Sequence, residues 1–136
     1  MIGAEALMRF SMISGEDTEV ISPMEFIPLL EETGLLIPAG RYILDEAAKL
    51  CCEIQQYIPD FRMNINVSYV QIMHGNVERD ILDVIKRYAL KPDSMYIEMT
   101  ESGFMDMTPV FCKFRKSLDE NHISFVIDDF GTGYSN

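Results

Sequence analysis

Five acidic or amide side chains stand out because of where they fall. Glu5, Asn66, Glu98 and Asp128 each lie near the C-terminal end of a short apolar run, and Asp129 follows directly. Carboxylates gathered at one place repel one another and hold protons unless a cation intervenes. An all-oxygen ligand set suits a hard cation such as Mg2+ or Mn2+. Asp129, beside Asp128, could bridge to a second ion, and two ions a few ångströms apart suit phosphodiester hydrolysis. Arg9 fits that chemistry as a phosphate clamp. A salt bridge from Arg9 to one of the carboxylates explains it equally well. Taken singly, a carboxylate at a strand end reads as a helix cap or a solvated loop residue. Four such residues recurring on successive strands are harder to explain that way.

The runs that must position these residues are IGAEALMRF, FRMNINVS, SMYIEMT and ISFVIDD. Each is short, rich in apolar residues and bounded by turn or polar residues, as strands are. Strand side chains alternate faces. Glu5, Leu7 and Arg9 then share one face, as do Asn64, Asn66 and Ser68, Glu98 and Thr100, and Val126 and Asp128. Helices are expected between the strands. Ser22-Pro23-Met24-Glu25 has the form of a capping box with proline in the first turn, and Gly34 is a natural stop. Phe26, Leu29 and Leu30 give that helix its apolar face. A second helix is expected from about Pro38 to Tyr57, with Ile43, Leu44, Ala47, Leu50, Cys51 and Ile54 on one stripe. A third uses Val77, Ile81, Val84, Ile85 and Tyr88. A fourth opens on Thr108-Pro109, with Phe111, Phe114 and Leu118 inward.

The resulting order is strand, two helices, strand, helix, strand, helix, strand. Such alternation argues for an α/β fold with a parallel sheet. Asn66, Glu98 and Asp128 recur about 30 residues apart, the length of one strand-helix unit in a barrel whose eight units make ~250 residues.

Composition narrows the function classes. The chain has 136 residues, 48% hydrophobic and 24% charged, which is enough apolar material for one globular unit and argues against disorder. A net charge of -11 disfavours a nucleic-acid polymer as partner, which needs a basic surface. A solvated acidic surface accounts for most of the 22 acids. No apolar run approaches the ~20 residues of a membrane span, so no membrane contact is expected from this segment. The start, MIGAEALMRF, lacks the basic head of a secretory leader. Cys51, Cys52 and Cys112 are odd in number and unsuited to metal spacing, so free buried thiols in a reducing cytoplasm are expected. With only His74 and His122 besides, a zinc site does not fit.

Together, Glu5-Ala6-Leu7, SPMEFIPLLEETGLL from Ser22, Asn66-Val67-Ser68, EMTES from Glu98 and DDFGTGYSN from Asp128 resemble the motifs of EAL domains in order and spacing. These are bacterial phosphodiesterases acting on cyclic di-GMP. The resemblance covers essentially the whole chain, and five motifs together are far more specific than any one.

It implies a modified TIM-type barrel that linearises cyclic di-GMP to pGpG. It implies that Glu5, Asn66, Glu98 and Asp128 are metal ligands for Mg2+ or Mn2+, with Asp129 at a second ion. Leu7 and Arg9 correspond to substrate contacts. Asp129 through Phe130, Gly131, Thr132, Gly133, Tyr134 and Ser135 corresponds to a mobile loop that supports the metals and contributes to dimerisation. Against a family domain of roughly 240 residues, residues 1–136 correspond to about the second to fifth strands. A first strand is expected before Ile2. The last three strands are expected beyond Asn136, with a lysine near the metals and the glutamate that serves as general base. The expectation is a partial (β/α) barrel, inactive by itself, from a cyclic di-GMP phosphodiesterase. A degenerate domain serving as a cyclic di-GMP receptor or protein scaffold is the alternative.

Overall fold

The computed structural model describes residues 3–100 and 108–128, with Met12, Thr100, Ile127 and Asp128 described by their backbone alone. Four parallel strands form one sheet in the order β1 (Gly3–Ala6), β4 (Arg62–Asn66), β5 (Met95–Thr100), β6 (Ser124–Asp128). Between β1 and β4 run an antiparallel hairpin, β2 (Phe10–Ser14) and β3 (Asp17–Ile21), then α1 (Pro23–Thr33) and α2 (Leu36–Gln55). α3 (Tyr69–His74) and α4 (Val77–Arg87) connect β4 to β5, and α5 (Pro109–Glu120) precedes β6. This is the α/β arrangement with a parallel sheet expected from the alternation, and it is consistent with the partial barrel that the resemblance implies.

Local chemistry explains most boundaries. Ser22 caps α1 and Gly34 ends it in the left-handed region at φ 78°, open to glycine without a Cβ clash. The reciprocal box expected at Ser22 is shifted: its Oγ accepts from Met24 N at 3.3 Å, one residue before the amide that a capping box uses. Thr108 caps α5 through Phe111 N at 3.2 Å, with Pro109 in the first turn as expected.

Two elements go beyond what periodicity shows. The hairpin pairs FSMIS with DTEVI around a two-residue loop, where Gly15 has φ 64° as a type II′ turn requires. α3 is only six residues, too short to show a helical period, but Ser68 and Gln71 form a full capping box at its start. The first strand is also shorter than expected. It ends at Ala6, where β4 has only Asn66 left before turning into the α3 cap, so Leu7 and Arg9 lie beyond it rather than on it.

The helix-facing side of the sheet is the core. Met63, Ile65, Met95, Ile97 and Met99 alternate inward from β4 and β5. They meet Leu44, Ala47, Ala48 and Cys51 of α2, Ile81 and Val84 of α4, and Phe111, Phe114 and Leu118 of α5. The expected stripes are corrected at two points. Leu29 of α1 is 59% exposed, leaving Phe26 as its buried anchor, packed 5.7 Å from the Phe10 ring. Leu50 of α2 lines a groove with Ala4, Ala6 and Leu7 beside β1, the outermost strand of the sheet among the described residues, instead of entering the core.

The three cysteines are free, but they are not all buried. Burial, helped by Cys52, pushes the Cys51 thiol from its ordinary 9.0 up to about 11. The native state therefore keeps a proton that the unfolded chain releases, and stability is expected to fall as pH rises from about 9 towards 11. At pH 8 a thiol reagent is expected to label exposed Cys112 in the native chain and Cys51 only after unfolding. Equal labelling rates would contradict this packing. Among the described residues no helix is long and apolar enough to cross a membrane.

Candidate metal and phosphodiester site

The sheet face opposite the core carries the polar residues. Parallel strands covered on both sides are usually apolar throughout, so this polar face is the unusual feature. Register brings the residues together. Glu5 pairs with Asn64 across β1 and β4, Asn66 with Glu98 across β4 and β5, and Thr100 with Asp128 across β5 and β6. All lie towards the C-terminal ends of their strands, the end at which sites of α/β barrels are built.

A hydrogen-bonded ladder links them. Asn66 Nδ2 donates to Glu5 Oε1 at 2.9 Å, and Asn64 Nδ2 donates to Glu98 Oε1 at 2.7 Å. The two bonds run diagonally between neighbouring strands. Each amide spends its nitrogen on a carboxylate, which fixes its orientation and turns its oxygen away from that bond. Alternation places Asn64 on this face without giving it a role. The structure supplies one, which is to orient Glu98. One backbone bond ties the strands at the same level: Val67 N donates to Glu98 O at 2.8 Å.

Glu5, Leu7, Arg9 and Asn66 line one cavity of about 430 Å3 that reaches between α1, α2 and α3. Arg9 reaches it from the segment after β1, not by strand alternation. Its Nη1 donates to Met8 O at 2.9 Å, and among the described residues it forms no ion pair. The salt-bridge explanation of Arg9 is therefore not the one adopted by the described residues. Leu7 is half exposed beside it.

The fit to a hard divalent cation follows from donor chemistry. Among the described residues no three His, Cys, Asp or Glu side chains cluster closely enough to hold an ion by themselves. The described donors are two carboxylates, Glu5 and Glu98, and the amide oxygen of Asn66. In the register, Asp128 Cα lies one pleat beyond the level of Glu98. Asp129, the loop Phe130 to Ser135 and Asn136 lie outside the described residues. The lysine and general-base glutamate expected beyond Asn136 fall outside them too, so no described residue takes either role. Oxygen donors alone, two of them anionic, match Mg2+ or Mn2+ and not zinc or copper.

Comparison with known proteins identifies the family and the fold. Residues 1–136 match the EAL domain family. The bifunctional diguanylate cyclase/cyclic di-GMP phosphodiesterase MucR of Pseudomonas aeruginosa is 32% identical over 139 residues, covering 99% of this chain and 19% of MucR. The signaling protein YkoW of Bacillus subtilis is 39% identical over 135 residues, covering 99% of this chain and 16% of YkoW. The solved structure of the PaMucR phosphodiesterase in complex with c-di-GMP superposes with a TM-score of 0.80 at 33% identity. It is matched over all of this chain and 56% of its own length, so the chain spans about half of that structure and a smaller part of the two relatives. With the whole chain matched and its polar strand ends in register, the protein belongs to the EAL domain family.

Proposed function

We propose that these residues form the metal-binding part of a cyclic di-GMP phosphodiesterase domain. The observation that carries the reading is the ladder Glu5–Asn66 and Asn64–Glu98 at the C-terminal ends of three adjacent parallel strands. Relatives named as cyclic di-GMP phosphodiesterases support the substrate. Glu5, Asn66, Glu98 and Asp128 would hold one Mg2+ or Mn2+, with Asp129 at a second. Bound there, such ions supply Lewis acidity and a nucleophilic water at neutral pH. Opening one of the two phosphodiester bonds of cyclic di-GMP with one water gives pGpG. Arg9 presents to the shared cavity a guanidinium with no carboxylate partner among the described residues. There it would clamp a phosphate and offset charge developing on it. Leu7 offers an apolar contact beside it. Every ligand type that the family motif asks of this span is present, which favours the enzyme over a receptor that has shed its metal.

Residues 1–136 supply about the second to fifth strands of such a barrel in this reading, and the lysine and general-base glutamate would follow Asn136. Self-association, and a cytoplasmic setting suited to three free thiols, belong to the same proposal. The test is a titration of the chain with cyclic di-GMP, with and without Mn2+, while pGpG is followed by chromatography. Mn2+-dependent binding is expected, with pGpG near background for these residues alone. Binding indifferent to Mn2+ would overturn the metal reading. Turnover at the pace of complete domains would contradict the expected incompleteness.

A further inference from the structure

We propose that Gln71, seated against Gly40, positions Asn66 for metal binding. This rests on the reading of Asn66 as a ligand, and it concerns a residue that the reading does not use. Only Val67 and Ser68 separate Asn66 from α3. Val67 N is held by the carbonyl of Glu98. Ser68 N donates to Gln71 Oε1 at 2.9 Å, and Ser68 Oγ accepts from Gln71 N at 3.2 Å. The backbone leaving Asn66 is thus tied down at both of its next two residues, which holds the Asn66 Cα–Cβ bond in the position from which its amide reaches Glu5.

The glutamine is not an ordinary cap. The caps at Ser22 and Thr108 act through their own hydroxyls. Gln71 is only 8% exposed, one of two buried polar side chains among the described residues. Its amide occupies room made in another helix. A Cβ built at residue 40 would lie 2.1 Å from Gln71 Nε2 and 3.1 Å from Cδ. Gly40 sits inside α2, where glycine costs about 1 kcal/mol relative to alanine. Helix stability is given up at that point for the space in which Gln71 lies. Gly40, Gln71, Ser68 and Asn66 all line the cavity that Glu5 and Arg9 enter.

A control for mere stability lies at the far end of the sheet, where the last residue of α2 bonds the segments that lead into β4 and β5. Gln55 Nε2 donates to Phe61 O and to Ser94 Oγ, both at 2.8 Å, at the opposite end of β4 and β5. The experiment compares Gln71→Met, Gly40→Ala and Gln55→Ala in the 15N-labelled chain. Methionine keeps the bulk against Gly40 and loses the acceptor for Ser68 N. Alanine at 40 displaces the Gln71 amide without removing any chemical group of the box, so it decides the matter if Gln71→Met does not fold. In the metal-free chain, both are expected to shift the side-chain amide resonances of Asn66, and Gln55→Ala is not. On titration with Mn2+, both are expected to weaken binding by about tenfold or more, the scale of lost outer-shell support, with Gln55→Ala near wild type. An unmoved Asn66 amide together with unchanged Mn2+ affinity would overturn the proposal, as would equal weakening by Gln55→Ala. If the wild-type chain binds no Mn2+, the metal reading fails, and the metal-free amide signals still decide whether Gln71 positions Asn66.

Discussion

Glu98→Gln is expected to weaken Mn2+ binding by at least about 100-fold, beyond the usual cost of losing an outer-shell partner. The change removes one of two described anionic donors and keeps the size of the side chain. A glutamine oxygen can still accept the bond that Asn64 Nδ2 now makes to Glu98 Oε1 at 2.7 Å. The backbone ties of residue 98, its pairing with Asn66 and its carbonyl bond from Val67 N, are unaffected by the side chain. The metal-free variant is therefore expected to keep its fold and to unfold close to the wild-type midpoint, since the backbone ties at residue 98 remain. Metal affinity and stability should move independently, and circular dichroism melting beside a Mn2+ titration reads both. Loss of fold, or metal binding within a few-fold of wild type, would contradict the role assigned to Glu98.

The second large effect lies in the core. Phe111→Ala is expected to cost about 3–5 kcal/mol, the range for truncating a fully buried aromatic. Phe111 is 0% exposed and meets the Phe125 ring of β6 edge-on at 6.0 Å, while the Phe114 ring also meets Phe125, at 5.8 Å. This trio locks α5 onto β6, so its loss loosens the strand that ends at Asp128. Against a total stability of roughly 5–15 kcal/mol for a domain, much of the margin disappears. Urea unfolding followed by circular dichroism measures it, and a loss below about 1 kcal/mol would show that the site collapses around the gap.

What could be read in the sequence follows from how local each signal is. Thr108-Pro109 and the Gly34 stop were legible because a cap is decided by neighbours in the chain. The polar strand ends were legible because alternation fixes which residues share a face, and the register of β4 and β5 then sets Asn66 beside Glu98. α3 was not legible by periodicity, since six residues make fewer than two turns. The pattern Ser68-x-x-Gln71 was its available signal. The hairpin Phe10–Ile21 was hidden because its strands bury little and show no strong apolar run. Arg9 shares a cavity with Glu5, but for a different reason than alternation gave. β1 stops at Ala6 for want of a longer partner, and the chain after it carries Arg9 to the cavity. Leu50 fits the stripe of α2 but meets the edge of the sheet, which no helical period can foresee. Gly40 likewise looks like a flaw in a helix until Gln71 is placed against it.

A hard divalent cation is expected where β1, β4 and β5 end. Paramagnetic Mn2+ added in substoichiometric amounts to the 15N-labelled chain tests this directly, because broadening marks the nuclei nearest the ion. The side-chain amides of Asn64 and Asn66 are expected to broaden first. Broadening that begins elsewhere among the chain's 22 acidic residues, such as at Asp60 and Asp93 at the opposite end of the sheet, would contradict it.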